Sequence, residues 1–168
     1  IGTLDPTLID AVRRASAAQV HRGPEDAGFW QSEAPGLHGV VLAFRRLAIV
    51  DLSADGHQPM VDPRTGNVIV FKGEVYNFRE LRAELRGLGH TFRSRSDTEV
   101  LLAAWTQWGT EALPRLRGMF GFAIWDARSR RLVLARDRIG IKPLFHCTVD
   151  RPGGRGALFA SELGSLLA

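Results

Sequence analysis

The chain has 168 residues, 45% hydrophobic and 24% charged, with a formal net charge of +4; this suits one globular domain with a two- or three-layer core. No apolar run approaches the roughly 20 residues that cross a bilayer, so a soluble, cytoplasmic protein is the expectation. The positive charge does not amount to a nucleic-acid surface. All 22 basic residues except Lys72 and Lys142 are Arg. They alternate with acids between Arg79 and Arg86, and no aromatic stripe joins the densest cluster, Arg128, Arg130 and Arg131.

Asp5-Pro6 opens a first helix, Asp5 as N-cap and Pro6 at the first helical position. Leu8, Val12 and Ala15 give it an apolar face with Ile9 beside them, and it stops before His21-Arg22-Gly23-Pro24. Strands are expected over roughly His38 to Arg45 and Val68 to Lys72. Between them, Asp51 to Met60 is a loop dense in breakers. A second helix starts at Asn77, with Glu80 placed to close a capping box. Leu81, Leu85 and Leu88 are its buried stripe, and Gly89 ends it. In the third helix Ser96 and Glu99 bracket the start and Gly109 the end. Val100, Leu101, Ala104, Trp105 and Trp108 face inward.

A short helical turn near Glu111 to Leu116 precedes four strand-like runs: Met119 to Asp126, Arg131 to Arg136, Leu144 to Thr148 and Leu158 to Ala160. The arginine cluster at 128–131 falls on a hairpin tip. A last helix begins at Ser161 with Glu162. Strands, then helices, then an antiparallel meander predict an α+β fold and not an alternating parallel one. The single cysteine, Cys147, excludes an internal disulfide and a multi-cysteine zinc site. It is expected to be a buried, inert thiol in a strand. No His, Asp and Glu spacing resembles a metal site.

Eight segments stand out. They are His21-Arg22-Gly23-Pro24-Glu25-Asp26, Arg45-Arg46-Leu47-Ala48-Ile49-Val50-Asp51-Leu52-Ser53, Gly56-His57-Gln58-Pro59-Met60 and Lys72-Gly73-Glu74-Val75-Tyr76-Asn77. Then come Ser96-Asp97-Thr98-Glu99-Val100, Gly118-Met119-Phe120-Gly121-Phe122-Ala123, the run from Arg136 to Leu144, and Ala160-Ser161-Glu162. In this order they resemble the N-terminal glutaminase domain of asparagine synthetases, a class II glutamine amidotransferase family. The resemblance implies a four-layer αββα sandwich of two antiparallel sheets, of the N-terminal nucleophile hydrolase type, over residues 1–168. It implies hydrolysis of glutamine to glutamate and ammonia, with the ammonia passed to a synthetase domain where aspartate is activated by ATP.

Amide hydrolysis needs a nucleophile, a base, an oxyanion hole and a grip on the amino acid. In the resembling family the nucleophile is an N-terminal cysteine whose own α-amine, with a pKa of about 7.7–8.0, acts as base. Residue 1 here is Ile, and Cys147 does not match. An opening strand of the type Met-Cys-Gly-Ile-x-Gly is expected ahead of Ile1, with truncation and true loss of the nucleophile as the two readings. The family's oxyanion pair is an Asn side chain and the next Gly amide; here Lys72 and Gly73 stand there. The resemblance assigns Arg46 to the glutamine α-carboxylate, which a guanidinium grips bidentately, and Glu74 and Asp97 to the α-ammonium or its support.

The His21 to Pro24 loop is read as one that orders the site when glutamine binds. The segments 118–123 and 136–143 are read as core packing and the face toward a synthetase domain, with an Asp137–Arg138 ion pair at that edge. Cofactors are expected to be none in this domain; ATP and Mg belong to the synthetase domain. Expected partners are glutamine and that domain or subunit, with no nucleic acid and no membrane, and a homodimer left open. The alternative function is a non-catalytic scaffold or glutamine-binding module that has lost the nucleophile. The ammonia acceptor stays open.

Overall fold

In β6 (Val68–Val75) the two-residue period of a strand sends side chains into two separate cores. Ile69, Phe71 and Val75 enter one; Val68 and Val70 enter the other. This computed structural model describes residues 2–4, 6–32, 38–47, 54–151 and 154–167. β6 lies centrally in a four-stranded antiparallel sheet with β5 (Met60–Val61), β7 (Gly118–Asp126) and β8 (Arg131–Arg136), in the order β5-β6-β7-β8. Against its outer face pack α2 (Phe78–Gly87) and α3 (Asp97–Trp108), which bury Leu81, Leu85, Val100, Leu101, Ala104 and Trp105.

The second sheet layer is made of three antiparallel pairs. These are β1 (Gly2–Thr3) with β3 (His38–Gly39), β2 (Asp26–Gln31) with β4 (Val41–Arg46), and β9 (Phe145–Arg151) with β10 (Gly154–Ala160). α1 (Pro6–Ala18) lies on β4, and α4 (Leu163–Leu166) on β10 and α1. Val40, Leu42, Val68, Val70, Ala123 and Trp125 fill the space between the sheets. The result is the expected helix–sheet–sheet–helix sandwich. No described helix is long and apolar enough to cross a membrane.

Close backbone approach fixes the register of β6 on β7. Gly73 pairs with Phe120, and Gly118 with Val75. A Cβ on Gly73 would lie 2.1 Å from the Met119 carbonyl oxygen, and one on Gly118 2.1 Å from that of Glu74. Both have φ values that favour glycine, 145° and 159°.

Several sequence expectations change in detail. Asp5, the expected N-cap, lies outside the described residues, as do residues 48–53. β2 was not foreseen: Asp26, Ala27 and Gly28 are poor strand formers, and its pairing with β4 decides it. The Asn77–Glu80 capping box does not form, because the Asn77 amide is taken by Arg115 O and Arg117 N. At α3 the Ser96 hydroxyl does accept from Thr98 N at 3.0 Å, while Glu99 accepts from Arg93 and Ser94. Leu88 is 51% exposed, since α2 ends at Gly87 before it can face the core. Cys147 is half-buried and not buried.

The expected Asp137–Arg138 pair is also overturned. Asp137 accepts from the amides of Phe120, Ile141 and Lys142, while Arg138 donates to the Pro114 carbonyl. Against a burial that would raise it, these amides hold the Asp137 carboxyl below the usual range.

Gly118→Ala is expected to lower stability by about 2–5 kcal/mol, combining backbone strain with overpacking. Urea denaturation measures it; a loss below about 1 kcal/mol would mean that the β6–β7 spacing is not set by glycine.

Candidate functional site

Alternate residues of an antiparallel strand direct their N–H and C=O groups to opposite edges. Phe120 uses both of its groups on Asp137, on the β8 side: its amide donates to the carboxylate and its carbonyl accepts from Asp137 N. Phe120 therefore has none for β6, and its partner Gly73 turns its own N–H and C=O away from β7. The same alternation turns out Phe71 and Val75. Beyond β5, which reaches only Val68 and Ile69, that edge of β6 has no strand beside it among the described residues.

Side chains cap the edge instead. Gln58, buried, accepts from Phe71 N at 2.6 Å and donates to Phe71 O at 3.2 Å, and so stands in for a neighbouring strand. Its amide also reaches Thr98 Oγ1 at 3.3 Å. Asp97, buried at the start of α3, accepts from Val75 N at 2.9 Å. The Gly73 amide lies between these two capped positions and faces the same open edge.

Arg46 lies against the 56–58 segment that carries Gln58. A Cβ on Gly56 would meet Arg46 Nη2 at 2.2 Å, so the guanidinium lies directly on Gly56. Gly56 is two residues from Gln58, a span of about 7 Å. The segment is seated on β2: Asp26 Oδ2 is 2.7 Å from His57 Nδ1, and a Cβ on Gly28 would strike the Gln58 carbonyl at 1.7 Å. His57 and Gln58 are thus contributors that sequence reasoning left in an undefined loop. The Gly56-His57-Gln58 run flanked by breakers was the available signal.

Glu74 and Asp97 are brought within electrostatic reach of each other. Burial raises the Asp97 pKa, and the Glu74 charge raises it further, against the opposing amides of Val75, Asp97 and Thr98.

Lys72 points elsewhere. With Val70 and Glu74 it shares the inter-sheet face of β6. Its ammonium donates to the Arg22 carbonyl at 3.0 Å. Arg22 belongs to a 3-10 turn, Val20–Arg22, and the Arg22 guanidinium and His21 Nε2 both reach Glu162 Oε1, at 2.9 and 3.0 Å. Burial lowers the Lys72 pKa, and the Arg22 and Lys142 charges lower it further, with Glu25 opposing.

Lys72 lines a cavity of about 190 Å³ bounded by α1, β4, β6, β7 and β10. Arg22 and Arg45 line it too, and no carboxylate does. The Arg45 Nε and Ser165 Oγ at its wall are buried without a hydrogen-bond partner. A second cavity, about 480 Å³, lies by Leu113, Phe120 and Ile139. Neither is lined by Arg46, Glu74 or Asp97.

A sequence profile described as a glutamine amidotransferase domain matches residues 1–168. The putative glutamine-hydrolyzing asparagine synthetase of Mycobacterium tuberculosis is 46% identical over 162 residues, 94% of this chain and 24% of that protein. The glutamine-hydrolyzing asparagine synthetase 3 of Bacillus subtilis is 42% identical over 149 residues, 88% of this chain and 23% of that one. The chain thus spans about a quarter of the length of these relatives. In fold it is similar to the glutamine phosphoribosylpyrophosphate amidotransferase of Bacillus subtilis, with a TM-score of 0.69 at 19% identity over 98% of this chain and 41% of that one.

Because the Asp97 pKa is raised in the folded chain, its ionisation opposes folding. That penalty is absent below the unfolded value near 3.8 and grows as pH rises through the folded value. Asp97→Asn cannot ionise, so its stability relative to the wild type should increase from pH 4 to pH 7, measured by urea midpoints. A difference independent of pH would show that the carboxylate is not desolvated.

Proposed function

Given that the chain belongs to the glutamine amidotransferase domain family, we propose that it hydrolyses glutamine to glutamate and ammonia for an asparagine-synthetase-like amide-forming reaction. The observation that carries this is the Gly73 amide, held on an open strand edge between Gln58 and Asp97. An oxyanion hole requires such a donor, fixed before the reaction and not used by the fold. Lys72, next to it, stands at the position of the second donor. Only one of its three N–H groups is assigned a partner among the described residues.

In this reading Arg46 grips the glutamine α-carboxylate, and Glu74 with Asp97 meets the α-ammonium. A cysteine thiolate attacks the side-chain amide carbon. Negative charge collects on the amide oxygen at Gly73 and Lys72; the thiol proton, held by the cysteine's own α-amine, passes to the amide nitrogen, and the tetrahedral adduct collapses to a thioester as ammonia leaves. Water then cleaves the thioester to glutamate.

Register supports a place for that cysteine. Ser32 N donates to Val40 O on the β2 side, so Val41, Ala43 and Arg45 direct their backbone groups to the opposite edge of β4. On that edge β1 pairs antiparallel, Gly2 with Gly39, and it lies against β10. A strand continuing this register runs between β4 and β10 through the inter-sheet cavity. It ends at Arg22, Arg45 and Lys72, one residue from Gly73. An opening strand of the Met-Cys-Gly-Ile-x-Gly type suits the slot, whose wall is mostly apolar. The acceptor of the ammonia, with its ATP and Mg, belongs to a synthetase unit. Ile139 and Ile141, 82% and 52% exposed, offer apolar surface to it.

One observation favours a second reading, a glutamine-binding unit without turnover: the Lys72 ammonium is committed to the Arg22 carbonyl. Fusing the cysteine strand ahead of Gly2 separates the two. Hydrolysis sensitive to a thiol-directed glutamine analogue supports the first, binding without hydrolysis supports the second, and no glutamine binding overturns both. Arg46→Ala should weaken glutamine binding by about tenfold or more by calorimetry, the effect of losing a hydrogen bond to a charged group. Glu74→Gln should act in the same direction.

A further inference from the structure

The turn at Val20–Arg22 buries none of its residues, so apolar packing cannot hold it. Charged groups from distant elements hold it instead. Glu162, next to α4, takes both His21 and Arg22, while Lys72 of β6 takes the Arg22 carbonyl. The following residue, Gly23, lies against the backbone of Arg45 and Arg46, where a Cβ would be 2.5 Å from the Arg45 carbonyl. The turn therefore forms the lid over the cationic end of the inter-sheet cavity.

We infer that Lys72 is a positioning residue that fastens this turn in its closed place before any substrate arrives. The inference rests on the amidotransferase reading only for its consequence in turnover. Three observations support it. The contact joins residues 50 apart through a part-buried, charge-assisted hydrogen bond. It meets the turn at a main-chain carbonyl, so it holds the backbone and not a mobile side chain. And the surroundings do not favour the cation: Arg22 and Arg45 share its cavity, Lys142 approaches from the loop after β8, and Glu25 is the acid that opposes them. Glu162 acts on it only through Arg22. A charge kept where burial and like charges disfavour it adds less to stability than its hydrogen bond alone would.

That last point separates positioning from a merely structural role. The Lys72 pKa is lowered in the folded chain, so charging it opposes folding. The penalty is fully present below the lowered value and disappears as pH rises toward the ordinary 10.5. Removing the ammonium should therefore free the turn while leaving the fold as stable or more so.

The test is hydrogen exchange with mass spectrometry on the full chain, alongside thermal melts, for Lys72→Met and Glu162→Gln. Both variants should lose about tenfold or more of the amide protection at residues 20–24, with β6 and β7 unchanged. The Tm of Lys72→Met should equal or exceed that of the wild type at pH 7, any gain narrowing toward pH 10.5. Unchanged protection at 20–24 overturns the proposal. So does a fall in Tm with loss of protection across the sheets, which would make Lys72 an ordinary structural contact. Neither readout uses glutamine, so failure of the amidotransferase reading would appear separately, in the binding and hydrolysis assays.

Discussion

A strand edge in a protein interior must hand its amides to something. β6 has β7 along one side, but on the other, among the described residues, it has a strand only beside Val68 and Ile69. Gln58 supplies Phe71 with an acceptor and a donor, and Asp97 supplies Val75 with an acceptor. Those two caps bring a loop that precedes β6 in the chain and a helix start that follows it against the same edge. They leave the Gly73 amide as the donor between them. The position of Arg46 follows from the same constraint, because the segment that carries Gln58 also carries Gly56, on which the guanidinium rests.

Two ionisable groups, Asp97 at the capped edge of β6 and Lys72 on its inter-sheet face, sit where burial opposes their charge, the first with a raised pKa and the second with a lowered one. Asp62 and Asp126, at the far end of the same sheet, show the contrary pattern. Burial raises their pKa values too, but hydrogen bonds from neighbouring backbone and hydroxyl or indole groups outweigh it, and both finish low. Asp137, bonded to the Phe120 that pairs with Gly73, shares that low pattern, so Asp97 and Lys72 differ through their own surroundings and not through the end of the sheet they occupy.

The same sheet explains why the glycines differ in kind. Gly73 and Gly118 permit two backbones to approach within a distance no Cβ allows, whereas Gly28 lets the 57–58 segment cross β2. Gly73 therefore serves the fold as well as the proposed chemistry. Its occurrence in the Lys72-Gly73-Glu74 run would be explained by the β6–β7 spacing even without a substrate.

Period and punctuation in the sequence were enough to place α1, α2 and α3, the strands from Val68 onward and the α+β class. Those signals are local: side-chain alternation, caps and glycine stops act within one or two turns of chain. The ordered motifs from His21 to Glu162 were enough to name the family. What local signals could not supply was pairing. Strand β2 reads as a loop until β4 lies beside it, Asn77 caps nothing once Arg115 and Arg117 take its amide, and Asp137 turns from Arg138 to three backbone amides. Lys72 shows this most clearly. Its residue number puts it at an oxyanion position, but only the packed structure places the Arg22 carbonyl 3.0 Å away, because a long flexible cation goes to the nearest acceptor that the tertiary fold provides.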